Sequence, residues 1–263
     1  MIFRQFLHTS PIAASYLLGC AGRGESVVVD PLEDIELYQR ASRDAGMRIV
    51  HVIDTHVHAD HLSGGRALAE ATGASYLVHE SASVTGADAV REGQALTVGN
   101  VMVRVIHTPG HTPEHVCLLV TDRTRGPEPW LVLTGHTLMA GDMGRTELAT
   151  SAEAGANALF ASAARLRALP DFVEVWPGAF AGSVCGRGLS GKAATTIGFE
   201  RRFNIAFRIE DREAFVRHML ADIPPQPPNA DGVRATNLGR TEARRGNPGR
   251  RCGADMMRRA RAC

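Results

Sequence analysis

The sequence has few of the features that mark secreted, membrane-spanning or strongly charged proteins. Its five cysteines, in 263 residues, form no Cys-X-X-Cys pair and show no regular spacing. Scattered cysteines of this kind predict free thiols in a reducing, cytoplasmic setting rather than a disulfide framework. No apolar stretch is long enough to cross a bilayer, so we expect no membrane span. A formal net charge of +1 favours neither nucleic acid nor a membrane surface as a partner.

What the chain does contain is a regular alternation of short apolar runs and stretches of helical spacing. The hydrophobic fraction of 44% is sufficient for a substantial core. Apolar runs bounded by turn residues predict strands at 2–6, 15–20, 26–30, 48–53, 101–106, 116–120, 130–133 and 173–176. Helical spacing predicts helices at 34–45, 66–71, 152–169, 196–203 and 211–221.

The composition changes near the end of the chain. Four prolines between positions 224 and 228 predict a stiff, extended linker over residues 223–239. Residues 240–263 are rich in Arg and Gly and poor in large apolar side chains, which predicts a disordered basic tail. A nucleic-acid-binding arm is the alternative, but no aromatic residues are interleaved there for base stacking. We therefore predict one folded domain over residues 1–222 and no nucleic-acid partner.

The strongest chemical signal is the run from His56 to His61, which reads His-Val-His-Ala-Asp-His. Four side chains of metal-ligand type fall within six positions, directly after the strand predicted at 48–53. A tight turn there lets several imidazoles and a carboxylate converge on one divalent transition metal. The alternative is a polar surface turn, which does not account for this density of ligands after a strand.

A second signal is the loop Thr-Pro-Gly-His-Thr at 108–112, which follows the strand predicted at 101–106. Sites are commonly built on loops at strand ends. His111 alone would be interpreted as structural, but together with the first motif it predicts a further metal ligand. We expect the flanking His107 and His115 to help shape the loop, and Cys185 to be a small buried hydrophobe.

These stretches, with 133–148 and 176–207, resemble the metallo-β-lactamase superfamily, and within it the persulfide dioxygenases, over about residues 1–238. The resemblance implies an α+β fold in which two β-sheets form an αβ/βα sandwich flanked by helices. It also implies one Fe(II) per chain, with Zn(II) as the alternative, that oxidises glutathione persulfide with O₂ to sulfite. Some members continue into a rhodanese domain after a linker similar to residues 223–239. This sequence stops about where that domain would begin, so we expect a truncated or frameshifted relative of those members.

Roles within the first motif follow the same resemblance. His56 and His111 match two iron ligands, and we include His58 in the predicted metal site. In hydrolytic relatives, this part of the motif completes two metal sites. We predict Asp60 and His61 as catalytic residues that orient the ligands and tune the metal.

Three arginines are predicted to bind the substrate. Arg145 matches a family arginine near the site, and its alternative is an internal ion pair with a nearby acid. Arg201 and Arg202 lie where the family places basic residues near the glutathione carboxylates, for which a guanidinium fork is well suited. The alternative for either is a solvated helix face.

Two positions depart from the family pattern. His136 stands where the family has the aspartate that is the third iron ligand of the dioxygenases and the bridge in two-metal hydrolases. Ala179 stands where the family has a histidine that binds the second metal in the hydrolases. Either His136 supplies a replacement nitrogen and completes a three-imidazole site suited to Zn(II) or Fe(II), or it only occupies the place of the aspartate.

Three functions remain open at this stage. The leading one is a persulfide dioxygenase-like iron enzyme, impaired by His136 and Ala179, with a small thiol and O₂ as partners. The second is a glyoxalase II-like thioester hydrolase. The third is a relative that binds metal or a thiol without turnover. A homodimer is compatible with each of them.

Overall fold

Two six-stranded β-sheets lie at the centre of the computed structural model, which describes residues 1–223 and 225–240. The first sheet contains β1 (Ile2–Thr9), β2 (Ile12–Cys20), β3 (Glu25–Val29), β4 (Arg48–Ile53), β5 (Ser75–His79) and β6 (Asp88–Val90), in that spatial order. The second contains β7 (Ala95–Val98), β8 (Val101–His107), β9 (Val116–Asp122), β10 (Leu131–Gly135), β13 (Glu174–Pro177) and β14 (Thr195–Thr196). A separate hairpin pairs β11 (Leu138–Met139) with β12 (Asp142–Met143).

Both sheets are mixed. In the first, β1 to β3 are antiparallel, whereas β3 to β6 run parallel. In the second, β7 to β10 are antiparallel, and β13 adds parallel to β10. Parallel strands require crossover segments. An α-helix lies in the connections from β3 to β4, from β4 to β5 and from β10 to β13, whereas β5 reaches β6 through residues 80–87 with only a 3-10 turn.

The two sheets pack face to face over a shared apolar core. Strand β8 shows the alternation of buried and exposed side chains. Val101, Val103 and Val105 are fully buried, while Arg104 points outward. They pack in one cluster with Val27 and other side chains of the first sheet. A period of two along a strand is what a half-buried sheet requires.

Helices cover the outer faces of the sandwich. They are α1 (Ile35–Asp44), α2 (Gly65–Thr72), α3 (Ala152–Arg167), α4 (Ile197–Phe203), α5 (Arg212–Leu220) and α6 (Ala230–Asn237). The first two pack on the first sheet, and α3 to α5 pack on the second. The longest, α3, begins at Ser151, whose hydroxyl accepts a hydrogen bond from the backbone N–H of Ala154. The predicted αβ/βα sandwich is therefore confirmed.

The segment 223–239 differs from the extended linker that its prolines predict. Helix α6 lies within it, and Leu238 packs in the same cluster as the outer face of the first sheet. Arg234 donates a hydrogen bond to the carbonyl of Val57, in the first motif. The prolines end at residue 228. Five of the eight residues of α6 are weak helix formers, so tertiary contacts rather than propensity fold this segment back on the domain. The domain boundary at residue 222 stays a prediction, whereas the extended conformation is wrong for 230–237.

Three further expectations concern the basic tail, the cysteines and membrane-spanning helices. The predicted basic tail lies outside the described residues, apart from Arg240. In the part that is described, the cysteines at 20, 117 and 185 are free and buried. No helix of that part combines the length and the apolar character needed to cross a membrane.

Candidate metal centre

The predicted ligands come together at one end of the sandwich, where each follows the end of a strand. Strand β4 delivers the loop that carries His56, and β8 leads into the loop that carries His111. His136 comes directly after β10. Residues from both sheets thus meet where the strands stop, which is where loops can present side chains without breaking the sheets.

His56, His111 and His136 form the centre of this site. One ring nitrogen from each lies within 4.8 Å of the others. Nδ1 of His136 lies 3.3 Å from Nε2 of His111. All three side chains are at most 1% exposed. The position of His136 supports the interpretation that it replaces the missing carboxylate with a nitrogen.

In two of these rings, those of His56 and His111, Nδ1 forms a hydrogen bond within the protein. Nδ1 of His56 lies 2.9 Å from the hydroxyl of Thr55, which itself donates to Oδ2 of Asp30 at 2.9 Å. The Thr55 oxygen therefore accepts a hydrogen bond from Nδ1–H of His56. Likewise, Nδ1 of His111 donates to the carbonyl of Arg145 at 2.9 Å. These bonds leave the Nε2 lone pairs of His56 and His111 directed inward, as metal ligation requires.

The protonation states fit a metal as well. Burial, reinforced by the neighbouring imidazoles, holds the pKa values of His56 and His111 well below their usual range. Burial also lowers the pKa of His136 to about 4. Nε2 of His56 and Nε2 of His136 are buried without a hydrogen-bond partner. Neutral rings with unpartnered, buried nitrogens match the donor set of a Zn(II) or Fe(II) ion.

His58, Asp60 and His61 form a second group beside the first, and their ligand atoms also lie within 4.8 Å of one another. Nδ1 of His61 is 3.0 Å from Oδ1 of Asp60. Nε2 of His58 is 3.2 Å from Oδ1 of Asp30. Burial opposes a charge on His58, but the Asp30 carboxylate outweighs it and raises the pKa of His58 to about 9. The structure therefore groups His58 with Asp60 rather than with the three imidazoles, and pairs it with Asp30.

Of the three predicted substrate arginines, Arg145 adjoins the site through its carbonyl, which accepts from Nδ1 of His111, whereas Arg201 and Arg202 lie on α4. The guanidinium of Arg145 is buried and forms an internal ion pair with Glu147, which is the alternative interpretation of that residue. Arg201 pairs with Asp171 and donates to the carbonyls of Arg167 and Leu169. The guanidinium of Arg202 lies over the ring of Phe203.

A cavity of about 330 Å³ opens next to Asp60 and His61. Glu33 and Asp34 also line it, and no arginine is among the lining residues described. The structure thus does not bring the predicted carboxylate-binding arginines to this cavity. Sequence reasoning placed them by resemblance, but their charges are used in local ion pairs and surface contacts.

His115 and Gly135 position the third ligand, and sequence reasoning gave neither a specific role. Nε2 of His115 accepts the backbone N–H of His136 at 3.0 Å. Gly135 has φ +47°, and a Cβ there would lie 2.6 Å from both Nε2 of His115 and Oγ1 of Thr55. The only signal in the sequence was the proximity of His115 to the His111 loop. The need for glycine appears only when the three chain segments are in place.

Comparisons with known proteins agree with this geometry. A family model described as the metallo-beta-lactamase superfamily matches residues 11–178. The chain is 31% identical to a hydroxyacylglutathione hydrolase of Polaromonas sp., over 81% of this chain and 88% of that protein. It is 28% identical to the persulfide dioxygenase ETHE1 of Bos taurus, over 56% of each. The crystal structure of ETHE1 from Myxococcus xanthus superposes with a TM-score of 0.79 at 30% identity, covering 92% of this chain and 100% of that one.

Proposed function

Because this chain belongs to the metallo-beta-lactamase superfamily, we propose that it is a persulfide dioxygenase-like protein with one Fe(II). It would oxidise glutathione persulfide with O₂ to sulfite and release glutathione. One observation carries the proposal: ligand nitrogens of His56, His111 and His136 lie within 4.8 Å of one another. Three protein ligands are enough for a catalytic ion and leave positions open for substrate. Zn(II) is the alternative ion.

An Fe(II) ion in this site would supply adjacent open positions for O₂ and for the substrate sulfur. The chain itself holds the three rings in place and keeps bulk water away, because the site is buried. The ring of His58 lies beside that of His56, with the two centroids 4.1 Å apart, and its ion pair with Asp30 holds it at the edge of the site.

Asp60 and His61 lie between this site and the cavity of about 330 Å³. A cavity of that size suits a small thiol. We assign the two residues the task of holding or accepting the proton of the incoming persulfide. Binding of the glutathione carboxylates by the three predicted arginines is not part of the proposal.

A thioester hydrolase is the second candidate function. The high coverage of the hydroxyacylglutathione hydrolase relative and the presence of His58, Asp60 and His61 favour it. Against it, residue 136 offers no carboxylate to bridge two ions, and residue 179 is a buried alanine. A relative that binds metal without turnover is the third.

The decisive experiment uses the full chain purified without oxygen, with its metal content measured first. Glutathione persulfide should then drive O₂ consumption and sulfite release, while a lactoylglutathione-type thioester should stay intact. His56→Ala should lose both metal and O₂ uptake, and His218→Ala, a histidine on α5 away from the site, should keep both. Thioester cleavage by zinc-loaded protein without O₂ uptake would replace the proposal by the hydrolase.

A further inference from the structure

The cavity of about 330 Å³ beside the metal centre has charged residues that the proposed function does not use. It lies between the turn that joins β1 to β2, the start of α1 and the loop that follows β4. Glu33 and Asp34, just before α1, are exposed at its mouth, whereas His61 is only 6% exposed at its inner end. The cavity therefore leads from solvent to a residue that borders the metal centre.

The net charge of this cavity is negative. No lysine or arginine is among the described residues that line it. Asp60 pairs with His61, whose Nδ1 lies 3.0 Å from Oδ1 of the carboxylate. The side chains of Glu33 and Asp34 form neither an ion pair nor a hydrogen bond with any other described residue. Two carboxylates without a countercharge repel an anionic ligand and attract a cationic one.

His8 also lines the cavity, and a chain of hydrogen bonds shows that its ring is uncharged. The hydroxyl of Tyr38 accepts from the backbone N–H of Leu32 at 2.9 Å, so its own proton is donated to Oγ of Ser15 at 2.8 Å. The Ser15 hydroxyl then donates to Nε2 of His8 at 2.9 Å. Because Nε2 accepts, the ring carries its single proton on Nδ1 and is neutral. Burial, which outweighs the Asp34 carboxylate, likewise lowers the pKa of His8. His8 therefore does not cancel the charge of Asp34.

The inner end of the cavity also indicates a ligand. Nε2 of His61 is buried there and has no hydrogen-bond partner among the described residues. Buried polar atoms are normally paired, so this nitrogen is available to a bound molecule. The proposed function places the persulfide sulfur at this end, next to Asp60 and His61. The far end of a substrate that fills the cavity then lies at the carboxylates of Glu33 and Asp34.

We propose that Glu33 and Asp34 bind an ammonium group of the substrate, which makes persulfides of aminothiols the preferred substrate class. The inference rests on the proposed function for the persulfide and adds what recognises the rest of the molecule. An ammonium donates charge-assisted hydrogen bonds to carboxylates. Glutathione has one ammonium and two carboxylate groups, so a smaller aminothiol without a carboxylate matches the charge of this cavity better.

Three thiols that differ mainly in their terminal group test the preference for charge. Cysteamine ends in an ammonium, 2-mercaptoethanol in a hydroxyl and 3-mercaptopropionate in a carboxylate. Calorimetry without oxygen measures the binding of each thiol to the metal-loaded full chain, and O₂ uptake is measured with the three persulfides. Because the sulfur is common to all three, differences report on the far end. We expect cysteamine to bind about tenfold more tightly than 2-mercaptoethanol, as a hydrogen bond between charged groups allows. 3-Mercaptopropionate should bind most weakly, and kcat/KM for the persulfides should follow the same order.

Two substitutions remove the charges at nearly constant size. Asp34→Asn and Glu33→Gln should each reduce the preference for cysteamine, and the double variant should abolish it while 2-mercaptoethanol binds as before. Glu36→Gln is the matched control, because Glu36 is an exposed acid in the first turn of α1 that does not line the cavity. It should keep the full preference. Circular dichroism checks that each variant is folded.

The proposal is overturned if the three thiols bind equally well, or if the preference for cysteamine survives in the double variant. Failure of the proposed function has a different signature. Charge-dependent thiol binding without O₂ uptake from any persulfide would refute the dioxygenase and leave the ammonium site standing. O₂ uptake with equal kcat/KM for the three persulfides would refute the ammonium site alone.

Discussion

Nδ1 of His136 faces Nε2 of His111 at 3.3 Å, in a site from which solvent is excluded. Nδ1–H of His111 is used in the hydrogen bond to the carbonyl of Arg145, so its Nε2 carries a lone pair. Without metal, the two rings can share only one long hydrogen bond. An ion between them accepts both lone pairs, which makes position 136 the place to test the site.

We expect His136→Asp to raise persulfide-driven O₂ uptake by about tenfold or more. Changes to groups that only orient ligands alter metal affinity or activity by about 10–100-fold, and a ligand itself should matter at least as much. The carboxylate adds a negative charge and restores the arrangement of two histidines and one carboxylate that suits Fe(II). Oxygen consumption and iron affinity of the two proteins provide the measurement.

His136→Ala distinguishes the two interpretations of the natural residue. If the imidazole is a ligand, the alanine variant should lose metal. If it only fills the place of an aspartate, the variant should hold metal as well as the natural protein does. Unchanged iron affinity and unchanged O₂ uptake in His136→Asp would place residue 136 outside the metal site.

The hydroxyl of Thr55 should be necessary for tight metal binding. It connects Nδ1 of His56 with Asp30 and so holds the ring in one orientation. We expect Thr55→Val, which removes the hydroxyl at nearly constant volume, to weaken metal affinity by about 10–100-fold. Thr124→Val is the matched control, because that hydroxyl also donates to a carboxylate, Asp122, on an exposed turn. Equal affinities in the two variants would refute the role of Thr55.

Gly135 should tolerate no side chain. Its φ of +47° disfavours other residues, and a Cβ would contact His115 and Thr55 at 2.6 Å. We expect Gly135→Ala to cost about 1–3 kcal/mol from the backbone conformation and to weaken metal binding by displacing His115. Gly93→Ala isolates the first effect, because Gly93 has φ +75° and open space around it. Chemical denaturation and metal titration measure both. Identical behaviour of the two variants would contradict the steric argument.

Local patterns in the sequence predicted individual strands, helices and the ligand motif, whereas the arrangement of the strands in a sandwich was implied by the resemblance to the family. Alternation in β8 and the histidine run after β4 are visible without any long-range contact. The long-range contacts that hold the site residues in place could not be predicted from local patterns. His115 reaches the backbone of residue 136, and Cys185 reaches Asp60 across 125 positions of the chain. Such contacts depend on how the two sheets pack against each other. The hydrophobic periodicity of a single segment carries no information about that packing.

Helix α6 was missed for a related reason. The prolines before it predict an extended chain. Propensity alone does not reveal that Asn237 bonds to two backbone carbonyls of the first motif and to the backbone N–H of Ser63. The role of the arginines stays a prediction from resemblance, and the structure adds that Arg201 forms an exposed ion pair with Asp171.

The metal-free protein should become less stable as the pH falls from 7 to 5. Burial holds the pKa values of His56, His111 and His115 well below the usual range, and that of His136 at about 4. Below about pH 6.5 the unfolded chain therefore binds protons that the folded chain does not. Each such histidine lowers the free energy of unfolding by up to about 1.4 kcal/mol per pH unit.

His58 affects the free energy of unfolding at high pH, where the loss of its proton destabilises the folded protein. Its folded-state pKa of about 9 lies above the unfolded value. Its contribution to stability is complete below about pH 6.5 and is lost as the pH rises towards 9. Denaturation curves in a chelator, at pH 5, 7 and 9, should therefore show the highest stability near the middle of this range. Equal or greater stability at pH 5 than at pH 7 would contradict the assignment of neutral histidines.

Asn237 should connect helix α6 to the metal site. Its Nδ2 donates to the carbonyls of His58 and His61, each at 2.9 Å, and its Oδ1 accepts from the backbone N–H of Ser63 at 3.0 Å. Asn237→Ala leaves these buried backbone groups unpaired, which we expect to cost about 1–3 kcal/mol and to weaken metal binding through the loop. Asn157→Ala, on the exposed face of α3, removes a single exposed bond and should change neither. Thermal unfolding and metal titration provide the two measurements. If Asn237→Ala matches the natural protein in both, residues 230–239 contribute neither to the stability of the domain nor to the metal site.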